Sequence, residues 1–165
     1  MIILGIDPGL ATVGYGAIEC KGSQMKALDY GTIDTPPDWA LPRRLEKIYA
    51  AMQQLLEEFS PEIVSVEELF FYNNITTAIA VSQARGVILL AAQQRAVPLY
   101  EYTPMQIKQA VAGYGHAKKQ QVQEMVRVLL GLKNTPRPDD AADALAAAIC
   151  RSNSSGPLQE QFRIG

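Results

Sequence analysis

The stretch Ile2-Ile3-Leu4-Gly5-Ile6-Asp7 opens the chain with an unbroken apolar run that ends on a carboxylate. A short continuous apolar run is typical of a strand that is buried on both faces of a sheet. A second run, Ile63-Val64-Ser65-Val66, ends on Glu67 in the same way. If the two strands are neighbours, their last residues lie at one edge of the sheet, where open α/β sheets form their sites. We therefore expect Asp7 and Glu67 to face a common site.

Two further carboxylates occur in the segment Asp140-Ala141-Ala142-Asp143-Ala144. On a helix, positions i and i+3 share a face, roughly 5–6 Å apart at Cβ. Two anions this close repel each other unless a proton or a cation lies between them. Asp139 is four residues before Asp143 and, after Pro138, is also a good helix cap, so spacing alone does not choose between Asp139 and Asp140.

A helix that crosses the ends of the two strands would bring four carboxylates together. Hard divalent cations such as Mg²⁺ prefer oxygen ligands of this kind. A pair of such ions is a common device for cleaving phosphodiesters. The pattern therefore predicts a divalent-metal site with hydrolytic chemistry.

The remaining periodicity predicts an α/β fold. Expected strands are residues 2–7, 12–19, 25–34, 62–67 and 97–102, and expected helices are 42–59, 75–94, 104–112, 122–130 and 139–150. Three strands joined by short turns form an antiparallel meander, and the alternation that follows implies a mixed five-stranded sheet with helices on both faces. We expect one domain over residues 1–151. Residues 152–165 are polar and aperiodic, so a flexible C-terminal tail is predicted.

Composition limits the class of protein. The chain has 165 residues, is 48% hydrophobic, and has no apolar run near the ~20 residues that a membrane span requires. Its amino terminus lacks the features of a secretion signal, so we expect a cytoplasmic protein with no membrane association. Two cysteines, Cys20 and Cys150, and a single histidine argue against a structural zinc site.

The charge is unevenly distributed along the chain. The net charge is −2, but residues 85–137 carry +6, whereas residues 1–84 carry −6 and residues 138–165 carry −2. A basic middle segment is a candidate surface for a phosphate backbone. Solvated helix faces explain the same pattern equally well, so charge alone leaves both interpretations open.

Five motifs occur in the order and spacing of one known family. They are Gly5-Ile6-Asp7-Pro8-Gly9, Val66-Glu67-Glu68-Leu69-Phe70, Gln83-Ala84-Arg85-Gly86, Tyr102-Thr103-Pro104-x-Gln106-Ile107-Lys108 and Asp140-Ala141-Ala142-Asp143-Ala144-Leu145-Ala146. Over residues 1–150 the chain resembles the RuvC-type crossover junction endodeoxyribonucleases, the bacterial Holliday-junction resolvases. The resemblance implies a ribonuclease-H-like fold and a homodimer. It also implies metal-dependent, symmetric cleavage of four-way DNA junctions during recombination and repair, with a branch-migration helicase of the RuvA and RuvB type as partner.

The same resemblance implies roles for individual residues. Asp7, Glu67, Asp140 and Asp143 fall on the acidic metal-binding tetrad of the family, which implies two Mg²⁺ per site, with Mn²⁺ as a substitute. Lys119 falls on a basic position near the DNA and is expected to act in catalysis. The other expected DNA-binding residues are Phe70, which lies near the crossover bases, Lys108 and Lys118.

Three alternatives remain open from the sequence. The protein could be a junction-binding module that does not cut, or a related ribonuclease-H-like nuclease that acts on RNA. The motif Gly5-Ile6-Asp7-x-Gly9-x-x-Thr12 also resembles the phosphate loop of actin-like ATPases, but those enzymes need two domains around a nucleotide.

The Ala-rich helix at residues 75–94 is the candidate dimer interface, although its alanines would also suit packing on the sheet.

Overall fold

The structure, a computed structural model, describes residues 1–69, 75–154 and 157–165. Its elements are β1 (Ile2–Asp7), β2 (Thr12–Lys21), β3 (Gln24–Asp34), α1 (Leu41–Phe59), β4 (Ile63–Glu67), α2 (Ile75–Gln94), β5 (Leu99–Tyr102), α3 (Pro104–Ala112), α4 (Lys119–Leu129), α5 (Asp139–Asn153) and a short 3₁₀ helix (Pro157–Phe162). The predicted order of strands and helices is confirmed. Phe70 lies outside the described residues.

The five strands form one mixed sheet in the order β3-β2-β1-β4-β5. β1 is antiparallel to β2 and parallel to β4, and β4 is parallel to β5. Ile6 of β1 pairs with Val66 of β4, so Asp7 and Glu67, the next residues, end the two strands side by side. The expected meeting of these two acids at one sheet edge is confirmed.

Helices cover both faces of the sheet, as predicted. Alternate residues along β1 point to opposite sides, because side chains in a strand alternate. Leu4 packs with α1 and α2 on one face, whereas Ile3 packs with α3, α4 and α5 on the other. Asp7 has the same parity as Ile3 and therefore faces α5.

Helix α5 lies unusually close to the sheet, because glycines of the strands meet backbone atoms of the helix. A Cβ added at Gly5 would lie 2.0 Å from the carbonyl oxygen of Ala144, and one at Gly14 would lie 2.0 Å from that of Asp140. Gly14 is the strand partner of Asp7. The small residues on both surfaces thus bring the first turn of α5 directly over the end of β1.

The described residues of the predicted C-terminal tail contact the rest of the fold. Helix α5 continues to Asn153, and the Phe162 ring lies 5.1 Å from that of Tyr102. The N–H of Ile164 donates to the Leu99 carbonyl at 2.9 Å, and the N–H of Leu99 donates to the Gly165 carbonyl at 3.0 Å. Scattered apolar side chains and the edge of β5 therefore hold the last residues in place, although they lack periodicity.

Across the three described ranges, none of the helices combines the length and apolar character of a membrane span.

Candidate active site

Asp7 and Glu67 form the floor of the site at the ends of β1 and β4. Burial, followed by the charges of Glu67, Asp143 and Asp140, raises the pKa of Asp7 to about 8 against the opposing effect of Lys119. Burial and then the charge of Asp143 raise the pKa of Glu67 to about 7, while Lys119 and Lys108 lower it. Asp7 is therefore in the electrostatic field of both predicted acids of α5, and Glu67 is in that of Asp143.

Helix α5 supplies the other two carboxylates from its first two turns. Burial raises the pKa of Asp143, although the hydrogen bond from Lys119 acts in the opposite direction, and Asp140 adds repulsion. Asp140 also contributes to the raised pKa of Asp7. The structure thus brings all four predicted acids together.

Asp139 belongs to a different set of contacts. Its carboxylate accepts a hydrogen bond from Nε2 of Gln123 at 3.0 Å and pairs with Arg137, while Nζ of Lys119 lies 3.5 Å away. The hydrogen bond from Gln123 is the main cause of the lowered pKa of Asp139, and the two cations add to it. Contacts with Gln123 and the two cations therefore already offset the charge of Asp139. The geometry favours Asp140 as the fourth member of the acidic cluster.

Lys119 connects α4 to this cluster. Its Nζ donates to Oδ2 of Asp143 at 3.0 Å. Partial burial alone would lower the pKa of Lys119, but the hydrogen bond to Asp143 and the charges of Asp143 and Asp139 raise it above its usual value. Lys119 is the first residue of α4, so its contact with Asp143 places the start of this helix at the acidic cluster.

The other predicted basic residues divide into two groups. Lys108 of α3 lines a cavity of about 190 Å³ together with Glu67, Lys119 and Asp143. Lys118 is exposed and is not part of this lining, and its backbone N–H donates to Oε1 of Gln121 at 2.8 Å. The structure therefore places Lys108 at the acidic cluster and Lys118 beside it on the surface.

The donor set suits a hard divalent cation. Every ligand offered is a carboxylate oxygen, and such oxygens are the preferred ligands of Mg²⁺. Burial, followed by the charges of neighbouring acids, raises the pKa values of Asp7 and Glu67, and a bound cation would offset both effects. Within the described ranges, no three acidic, His or Cys side chains already have the spacing of a metal-ligand cluster. An ion held by Asp143 would compete with Lys119 for its carboxylate.

Sequence reasoning missed two contributors at this edge. Gln123 is buried and orients Asp139. It follows Lys119 by four residues on α4, so helical spacing was the signal available. On the opposite face, Nε of Arg85 donates to Oε1 of Glu101 at 2.9 Å, which joins α2 to β5.

The family model of "Crossover junction endodeoxyribonuclease RuvC" matches residues 3–151. A protein of that name from Rubrobacter xylanophilus is 56% identical over 153 residues, which are 93% of this chain and 86% of the relative. Another, from Alkaliphilus metalliredigens, is 52% identical and covers 99% of both chains.

Solved structures give the same result. RuvC of Thermus thermophilus in complex with a Holliday junction substrate has a TM-score of 0.86 and 40% identity, covering 93% of this chain and 94% of that one. The yeast mitochondrial resolvase Ydc2 shares only the fold, with a TM-score of 0.67 and 16% identity over 92% of this chain and 78% of that one. The predicted ribonuclease-H-like resolvase fold is confirmed. The chain therefore belongs to the RuvC family of crossover junction endodeoxyribonucleases.

Proposed function

We propose that this chain resolves Holliday junctions by paired, symmetric, metal-dependent cleavage of two phosphodiesters, in recombination and DNA repair. The observation that carries the proposal is the pKa of Asp7, which rises to about 8 through its burial and the charges of Glu67, Asp143 and Asp140. Clustered acids on a surface that meets DNA repel its phosphates. Bound cations remove this conflict and convert the cluster into a nuclease site.

We propose that Asp7, Glu67, Asp140 and Asp143 hold two Mg²⁺ ions, which Mn²⁺ can replace. When bound, two such ions lower the pKa of water and offset the charge that develops on the leaving oxygen. The charges of Glu67 on the sheet and of the two acids of α5 all act on Asp7, so it is the residue we assign to both ions. Asp139 is outside the ligand set, because Gln123 and two cations already hold it.

The two lysines of the cavity have separate roles in this proposal. Lys119 is assigned to the scissile phosphate, because its ammonium group already lies within the acidic cluster. Lys108 lines the same cavity from α3 and is assigned to a flanking phosphate. Positioned cations of this kind stabilise charge that grows during phosphoryl transfer. Lys118 contributes to backbone binding from the adjoining surface, and Phe70 is assigned to the crossover bases from its sequence position alone.

The experiment compares substrates and metals in one assay. Wild-type protein is incubated with a four-way DNA junction, linear duplex DNA and structured RNA, each with Mg²⁺ or with EDTA. We expect paired nicks in the junction only, and only with Mg²⁺. Junction binding without nicks would favour the non-cleaving module, and preferential cleavage of RNA would favour the RNA nuclease.

We propose a homodimer that pairs through the outer face of α2. Along this helix Ile79 and Leu90 are 58% and 52% exposed, with the exposed Gly86 between them. Ala84 faces the other way and is fully buried in the core. Ala84, Ala91 and Ala92 thus pack in the core, while two large apolar residues remain for a partner. A two-fold axis through this stripe would supply the two active sites that symmetric cleavage needs.

We also propose a cellular location and a protein partner. Both cysteines are free and buried, in keeping with a reducing compartment, and we assign the protein to the cytoplasm. A branch-migration helicase of the RuvA and RuvB type is the proposed partner on the junction. Co-sedimentation of the three proteins with and without junction DNA tests this assignment.

A further inference from the structure

Three side chains at the start of α1 form a basic-aromatic patch: Trp39, Arg43 and Lys47. The guanidinium carbon of Arg43 lies 3.7 Å from the centroid of the Trp39 ring, and Nζ of Lys47 lies 5.5 Å from it. Both distances are within the range of cation–π attraction. The ring therefore holds two cations side by side on the surface, where Arg43 and Lys47 are exposed.

No acidic side chain pairs with the cations of the patch in the part of the chain that the structure describes. Among the ion pairs of the described residues, none involves Arg43 or Lys47. The first turn of α1 also contains no acidic residue, and Ala40 provides no side-chain cap. Cations at the amino end of a helix are repelled by its dipole. An anion supplied from outside would relieve this repulsion.

The patch lies at the same edge of the sheet as the acidic cluster. Asp34, the last residue of β3, pairs with Thr12, and Gly14 two residues later pairs with Asp7. The N–H of Thr35 donates to the Ala11 carbonyl at 2.9 Å, and Nε of Arg44 donates to Oγ1 of Thr35 at 2.8 Å. The start of α1 is therefore tied to the loop that directly follows Asp7.

We propose that the basic-aromatic patch binds the phosphate backbone of a duplex arm of the junction. This inference rests on the proposed function and adds a second DNA contact to it. Lys108 and Lys119 lie on the α3 and α4 side of the acidic cluster, whereas the patch lies on the α1 side. A duplex that crosses this edge meets cations on both sides of the scissile phosphate. Trp39 contributes by holding the Arg43 guanidinium in place before the DNA arrives.

Trp39 itself supplies a direct readout, because it is the only tryptophan of the chain. Its fluorescence is followed while wild-type protein is titrated with junctions in EDTA, so that no cleavage occurs. Junctions with long arms and junctions trimmed to a few base pairs per arm are compared. We expect the emission to change with long arms and to stay nearly constant with short ones. Constant emission at saturation with both junctions would overturn the proposal.

A charge-neutralising pair of variants gives an independent test. The double variant Arg43→Gln/Lys47→Gln is compared with Lys21→Gln/Lys26→Gln, which removes two cations around the β2–β3 turn at the opposite edge of the sheet. Each lost phosphate contact lowers the slope of log affinity against log salt by about one. The affinity then changes about eightfold less when the salt concentration falls from about 1 M to about 0.1 M. We expect this loss for the patch variant only, with its single-turnover rate retained at saturating protein.

The outcomes separate this inference from the proposed function. Equal salt slopes for the two double variants, with both proteins folded by circular dichroism, would reject the patch as a DNA contact. A wild-type protein that binds long-armed junctions with a Trp39 signal but never cuts them would instead contradict the proposed nuclease function. Equal titration of Trp39 by an acidic peptide and by DNA at the same charge concentration would also reject the assignment to a duplex arm.

Discussion

The ammonium nitrogen of Lys119 lies 3.0 Å from Oδ2 of Asp143, so the first residue of α4 neutralises one of the four clustered acids of the site. The same nitrogen is 3.5 Å from Asp139. Lys119 therefore forms an ion pair with a carboxylate that the proposed function assigns to a metal ion. A phosphate arriving with the DNA offers Lys119 another partner and releases Asp143. Metal binding and DNA binding are then expected to favour each other.

The first prediction concerns this competition. Lys119→Met should bind Mn²⁺ more tightly than wild type in the absence of DNA, by on the order of tenfold, since a hydrogen bond to a charged group is worth about 1.5–3 kcal/mol and Lys119 is half-exposed. Isothermal titration calorimetry measures the affinity. Lys118→Met is the matched control, because Lys118 is an exposed lysine away from the cavity. Weaker Mn²⁺ binding by Lys119→Met would contradict the competition.

The second prediction separates the acids of α5. Asp140→Asn and Asp143→Asn should each abolish junction cleavage while junction binding persists, because an amide keeps the shape but loses the charge that holds a divalent ion. We expect the same of Asp7→Asn and Glu67→Gln. Asp139→Asn should reduce the single-turnover rate only mildly, since Asp139 interacts with Gln123 and two cations and not with a metal ion in this proposal. An inactive Asp139→Asn beside an active Asp140→Asn would reverse this assignment.

The third prediction is a pH dependence of stability. The pKa of Asp7 is 3.8 in its usual environment and about 8 in the folded protein. Between these values the unfolded chain releases the proton while the folded chain keeps it, so the free energy of unfolding falls as pH rises. Below 3.8 both states are protonated, and this contribution is constant. In EDTA, urea unfolding should show wild-type stability falling from pH 5 to pH 8 by a few kcal/mol.

Asp7→Asn is the control for this dependence. It removes the titrating group, so its unfolding free energy should change less between pH 5 and pH 8 and should exceed that of wild type at pH 8. Saturating Mg²⁺ should restore stability to wild type at pH 8, because ligands of the native state stabilise it. A wild-type protein that becomes steadily more stable up to pH 8 in EDTA would contradict the assignment.

The fourth prediction tests the close approach of α5 to the sheet. Gly5→Ala places a methyl group 2.0 Å from the carbonyl oxygen of Ala144, so the helix must move. Overpacking of this kind typically costs 1–3 kcal/mol, and about 3 kcal/mol or more is expected here because both partners are backbone. Thermal unfolding measures the loss. Cleavage should fall further than stability, because Asp140 and Asp143 move with the helix; unchanged melting and activity would refute the contact.

The fifth prediction concerns the dimer. Ile79→Glu and Leu90→Glu should produce a folded monomer, because a charge on the outer stripe of α2 would be buried without a partner in the interface. Ala84→Glu should instead lower the melting temperature, since Ala84 is fully buried in the core of each subunit. Sedimentation velocity at micromolar concentration distinguishes the two effects. Wild-type protein that sediments as a monomer and still makes both nicks in one binding event would remove the need for the dimer.

Much of the site was predictable because strand ends are easy to locate in sequence. The apolar runs before Asp7 and Glu67 mark where two buried strands finish, and parallel pairing brings those ends together. The choice between Asp139 and Asp140 was not predictable from spacing, since both have a helical neighbour at Asp143. What separates them is Gln123, which comes from another helix and is recognised only when α4 and α5 are packed together.

The C-terminal residues show a second limit of sequence reasoning. Phe162 and Ile164 are isolated apolar residues in a polar segment, so no period marks them as structured. Their contacts depend on Tyr102 and Leu99 of β5, which lie about sixty residues earlier. Hydrophobic periodicity indicates how a helix or strand packs on a core. It does not reveal a segment that is held by hydrogen bonds to the edge of a strand.

The seating of these last residues on β5 also affects how copies of the protein can meet. An open strand edge offers unpaired N–H and C=O groups to any other extended chain and so invites uncontrolled polymerisation. Here Leu99 exchanges hydrogen bonds with Ile164 and Gly165, and Tyr100 bridges to Arg163, so residues 163–165 occupy that edge. Growth of the sheet through β5 is thereby blocked by an intramolecular competitor present at very high effective concentration.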